Sequence, residues 1–120
     1  MKIAVPIEEN GNETIVSISF GRASSFLIFD QETRTTHLLK NTAVLSAGGA
    51  GIKAAQVVAD SGAKILLTPL CGGNAAKVLS AAGIKLYKTE PGKRAMDSIK
   101  QFLQGELAEP AEIHEGFHGH

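Results

Sequence analysis

The residues of this 120-residue chain whose types and spacing suit chemistry are one cysteine, two glycine-rich runs, an arginine between glycine and alanine, and a set of terminal histidines. Cys71 opens the run Cys71-Gly72-Gly73-Asn74, which leads into a helical pattern. A second run, Ser46-Ala47-Gly48-Gly49-Ala50-Gly51, leads into another. Glycine lets backbone approach a ligand closely. A helix N-terminus adds free N–H groups and about half a positive charge. Two such ends at one crevice, with Arg22 beside them, suit an anion, although each run also reads as a plain tight turn. Cys71 stands just before a helix start, where a thiol pKa tends to fall. It reads as a thiolate ligand or nucleophile, or else as a small buried hydrophobe. No histidine is near it in sequence, so a Cys–His pair would require the C-terminus to fold back. His114, His118 and His120, with three and then one residue between them, can share Zn, Ni or Cu; the other reading is a polar chain end.

Composition excludes several classes. A single cysteine rules out an internal disulfide, and a zinc finger or four-thiolate iron–sulfur site made by this chain alone. Gly49-x-Gly51-x-x-Ala54 matches a loose dinucleotide fingerprint, but no acidic residue near position 70 could hold a ribose, and no phosphate-loop sequence occurs. A nucleotide or small metabolite therefore stands only as a further alternative, with Cys71 as its reactive group. Nucleic acid is not expected, since aromatics are 5% and there is no basic stripe. No apolar run approaches the ~20 residues of a membrane span, and Met1-Lys2-Ile3 opens no signal-peptide pattern. The expected location is cytoplasmic, without membrane contact. The formal charge of zero is divided unevenly. Residues 1–100 hold all 12 Lys and Arg against 8 acids. The last twenty residues hold Glu106, Glu109, Glu112 and Glu115 with no Lys or Arg. A basic body accepts an anionic partner, and an acidic, His-bearing tail attracts cations.

These groups must be positioned by a small set of elements. Lys2–Ile7 predicts a buried strand with no acid inside it, followed by a loop over Glu8–Glu13. Ser25–Asp30 and Thr33–Lys40 predict a hairpin, with Thr14–Ser19 as its extension. Helices are predicted over Gly48–Ser61, Asn74–Ala82 and Gly92–Leu103, each stopped by a glycine (Gly62, Gly83, Gly105), with strands at Lys64–Thr68 and Ile84–Tyr87. Residues 106–120 read as a flexible acidic tail. The order suggests an α/β, ribonuclease-H-like three-layer fold, with a mixed five-stranded sheet and helices on its faces. A ribonuclease-H-type nuclease needs strand carboxylates for its metal ions; with Asp30 as the other strand-end acid, that activity is not expected. The strand ends near Ile7, Asn41, Thr68 and Lys88 would share one edge, the usual ligand site of such sheets. That edge also receives Phe20-Gly21-Arg22-Ala23.

The runs Val16–Asp30, containing Ser19-Phe20-Gly21-Arg22, then Gly48–Gln56, Cys71-Gly-Gly-Asn-Ala-Ala76, Ala82–Tyr87 and Gly105-Glu-Leu107 resemble, in order and spacing, the dinitrogenase iron–molybdenum cofactor biosynthesis family. The resemblance spans Met1 to Leu107, which sets the expected domain at 1–105 and the tail at 106–120. It implies a non-catalytic carrier of an anionic iron–molybdenum–sulfur cluster or its precursor, with metallocluster donor and acceptor proteins as partners. The implied cluster site is Ser19, Arg22, Gly48, Gly49, Gly51, Cys71, Gly72, Gly73 and Asn74, with Cys71 the best single ligand. The family's frequent histidine before Phe-Gly-Arg is Ser19 here. The alternative is a divalent-metal protein acting through His114, His118 and His120.

Overall fold

Alternation of large apolar side chains along three central strands creates two cores, one on each face of a sheet. The computed structural model describes residues 1–45, 48–108 and 112–114. Strands β1 (Lys2–Asn10), β2 (Glu13–Val16), β3 (Ser25–Asp30) and β4 (Thr35–Lys40) come first. They are followed by a 3-10 turn (Thr42–Leu45), helix α1 (Ala50–Asp60), β5 (Ala63–Thr68), β6 (Leu70–Gly72), α2 (Gly73–Ala81), β7 (Lys85–Lys88), α3 (Ala95–Leu103) and β8 (Glu112–His114). The main sheet has the order β4-β3-β1-β5-β7, with β2 paired to β1. β1–β3 and β3–β4 are antiparallel, whereas β1–β5 and β5–β7 are parallel. Ala4, Phe26, Ile28 and Leu66 join Ala54, Val58 and Leu79 of α1 and α2 in one core. Ile3, Val5, Ile7, Leu27, Phe29, Ile65 and Leu67 join Ala95 and Ile99 of α3 in the other. Helices therefore cover both faces.

The mixed α/β class agrees with the sequence reading, but the sheet has six strands where five were expected. The sixth is β2, from the stretch read as an extension of the hairpin, and β1 itself runs on into the segment read as a loop. β1 continues through Glu8 and Glu9 to Asn10 and turns back through Gly11, at φ 65°, into β2. Glu8–Asn10 carry no apolar alternation, because this end of β1 is held by ladder bonds and not by core burial. β2 is consequently a partner of β1 and not an extension of the later hairpin. The first strand also holds acids after all. Glu8 lies near the edge where Ile7 faces Ser25, and Asp30 lies at the opposite edge, facing Lys2. Carboxylates so placed cannot share a metal.

The glycine stops are where they were expected. Gly62, Gly83 and Gly105 have φ of 85°, 78° and 76°, a left-handed conformation that ends each helix at little steric cost. Of the expected tail, the described portions touch the body. Leu107 packs on the α3 core, the Ala108 carbonyl accepts from the Lys88 N–H at 2.9 Å, and β8 pairs with β6. No helix among the described residues is long and apolar enough to cross a membrane.

Candidate functional site

The C-terminal ends of β1, β4, β5 and β7 share one edge because β3 and β4 reverse twice while the β5 and β7 crossovers preserve direction. At this edge lies an open crevice of about 230 Å³, lined by Ser19, Phe20, Gly21, Gly51, Leu70, Cys71, Gly72 and Ala75. Its parts come from the loop before β3, the first turn of α1, and the β5–α2 connection. Small residues make this convergence possible. A Cβ on Gly21 would stand 3.1 Å from the Gly51 Cα, so any larger residue would have to push the loop off α1 by a few tenths of an ångström. At Gly51 an added Cβ would make only ordinary contact with the Ala75 Cβ, at 3.5 Å.

Four of the residues expected from sequence therefore meet at the crevice, namely Ser19, Gly51, Cys71 and Gly72. Gly73 begins α2 and Asn74 is exposed in its first turn. Gly48 and Gly49 lie before α1 and do not line the crevice. Gly49, at φ 69°, caps the helix in the left-handed region. Arg22 is exposed, and it is its backbone N–H that is engaged, donating to Ser19 Oγ at 3.3 Å. Ser19 thus serves a local turn. His114 lies in β8 opposite Gly72, so the chain does return to the cysteine loop. His118 and His120 lie outside the described residues. Among the described residues no group of three His, Cys, Asp or Glu is placed to hold a metal ion.

The thiol meets the buried-hydrophobe reading of Cys71 and not the expectation of a lowered pKa. Cys71 is 1% exposed and belongs to the α1–α2 core. Burial pushes its pKa up from an ordinary 9.0 to about 11, and the Sγ–H donates to the Gly72 carbonyl at 3.6 Å. Proximity to a helix start lowers a thiol pKa when the sulfur faces the free amides. Here the side chain turns inward, and desolvation of the thiolate dominates.

Two polar residues, one buried and one half-buried, which sequence reasoning did not single out, hold the crevice wall. Asn41 is fully buried; its Nδ2 donates to the Gly21 and Ala23 carbonyls at 3.2 and 2.9 Å, and its Oδ1 accepts from Ala43 N–H at 3.1 Å. Glu8 Oε2 accepts from Ser17 Oγ and Ser24 N–H, both at 3.2 Å, clasping the two ends of the loop that carries Ser19–Arg22. Phe20 anchors the same loop from below by packing on Phe26, with ring centroids 5.4 Å apart. A lone asparagine after a strand was the available signal for Asn41; only the fold shows that it is buried.

Residues 1–105 match the family described as dinitrogenase iron-molybdenum cofactor. The chain belongs to that family. An uncharacterized protein of Methanocaldococcus jannaschii is 32% identical over 110 residues, 89% of each chain. Among solved structures, the apo form of the orange protein from Desulfovibrio gigas is 38% identical, with a TM-score of 0.85 over 92% of this chain and 93% of that one. A NifB-like protein from Thermotoga is 33% identical, with a TM-score of 0.76 over 90% and 91%.

Proposed function

We propose that this protein is a non-catalytic carrier of a small anionic metal–sulfur cluster, of the iron–molybdenum–sulfur type or a precursor, held in the Cys71 crevice. The observation that carries the reading is the convergence of the α1 and α2 starts on a crevice with no charged side chain in its lining, in a chain of this family. About 230 Å³ falls below the ~300–1,000 Å³ of pockets for drug-sized organic ligands, which favours a compact inorganic cargo over a nucleotide. Backbone amides and helix ends supply attraction for negative charge without acidic side chains to oppose it. Phe20, Leu70, Ala75 and the neutral thiol supply polarizable contact for sulfide faces. A thiol titrating near 11 is a poor resident ligand at neutral pH, so Cys71 bonds a metal only when cargo displaces its proton. Weak, mostly non-covalent retention suits a protein that receives cargo from one partner and passes it to another.

The strand order and the helices on both faces support a ribonuclease-H-like label for the fold, with Arg22 outside the crevice serving as long-range attraction. Tetrathiomolybdate added anaerobically to the full chain tests the reading. Co-elution with wild type and its loss in Ala75→Leu are expected. No co-elution with wild type, or equal binding by Ala75→Leu, overturns it.

A further inference from the structure

β8 is three residues long and far from β6 in sequence, yet it pairs with β6 in parallel, Leu70 opposite Glu112, Cys71 opposite Ile113 and Gly72 opposite His114. The two form a sheet of their own, so β8 is the only strand partner of β6 among the described residues. β6 is the segment that supplies Leu70, Cys71 and Gly72 to the crevice. Cys71 faces the core, and exposing its sulfur requires β6 to move. Whatever holds β6 therefore sets access to the thiol. The charges are complementary as well, since β8 belongs to an acidic C-terminal stretch without Lys or Arg and docks on a body with twelve basic and eight acidic residues.

We infer that β8 is an intramolecular latch, whose pairing with β6 keeps the Cys71 thiol turned into the core and whose release exposes it to a ligand in the crevice. A pairing of three residues is short enough to exchange without unfolding the domain, as a segment at the low-stability end of a structure does. The role in loading rests on the carrier reading; the latch itself does not.

Two measurements on the full chain test it. Ile113→Pro removes an N–H from the short strand and crowds its neighbour; Ile113→Val is the control. The latch predicts that Cys71 reacts with an anionic aromatic disulfide at least about tenfold faster in Ile113→Pro than in wild type or Ile113→Val. It also predicts that the amides of Leu70–Gly72 lose hydrogen-exchange protection while those of β1 and β3 keep theirs. Equal thiol rates, or amides of Leu70–Gly72 already unprotected in wild type, would overturn the latch. Faster thiol reaction without tetrathiomolybdate binding by any variant would support the latch and defeat the carrier reading instead.

Discussion

Among the described residues, two hollows of similar size have opposite walls. The Cys71 crevice, about 230 Å³, is made of glycine backbone, small and apolar side chains, one serine and one thiol. The hollow beside α3, about 270 Å³, is lined by Lys88, Thr89, Glu90, Lys93, Gln101, Glu106, Leu107 and Ala108. In the second, polar groups answer one another. Lys93 Nζ donates to Gln101 Oε1 at 2.6 Å, and the buried hydroxyls of Thr89 and Ser98 bond at 2.6 Å just behind it. Its chemistry is spent on holding α3 and the segment after it to the sheet. In the first, side chains are small and backbone is presented, with the polar work moved behind the wall to Asn41 and Glu8. The supporting bonds lie within the larger hollow and outside the smaller one, which is why we place the proposed cargo in the smaller.

This contrast can be broken in order of expected effect. Asn41→Ala would leave the Gly21 and Ala23 carbonyls and the Ala43 amide without their partner in a buried site. A loss of about 2–4 kcal/mol in denaturant-derived stability is expected, with tetrathiomolybdate binding lost as the Gly21 loop loosens. The pH dependence of Cys71 comes next. Its pKa is about 11 in the fold against an ordinary 9.0, so between these values the folded state keeps a proton that the unfolded chain has lost. The thiol's contribution is intact below pH 9 and falls as pH rises toward 11, by up to about 2–3 kcal/mol. Chemical denaturation at pH 8 and pH 11 should show Cys71→Ala losing less stability than wild type over that span; equal losses would contradict the burial argument. Ala75→Leu, which overfills a buried position, should weaken tetrathiomolybdate binding by about tenfold or more, about 1.4 kcal/mol, and lower the thermal midpoint as overpacking costs about 1–3 kcal/mol. Ser98→Ala, behind the other hollow, should cost about 1–2 kcal/mol of stability while binding stays within experimental error.

The parts legible in sequence were those with a local physical signature. Apolar runs at Ile3–Ile7 and Ser25–Asp30 marked the central strands, and the glycines at 62, 83 and 105 marked helix ends because a positive φ is costly for other residues. The crevice was legible as two glycine-rich helix entries at one sheet edge. What was not legible depends on direction or on distant pairing. A position before a helix does not say which way a thiol points, so the inward turn of Cys71 reversed its expected acidity. The polar end of β1 offered no alternation to read. β6 and β8 are too short and too far apart for either to announce the other.

The most direct test of the central claim is a titration of the isotope-labelled full chain with tetrathiomolybdate, followed by amide chemical shifts. The account predicts shifts concentrated at Ser19–Arg22, Gly48–Gly51 and Leu70–Ala75, with Lys88–Glu90 and Gln101–Glu106 unmoved. Shifts centred on the hollow beside α3, or none at any concentration, would contradict it.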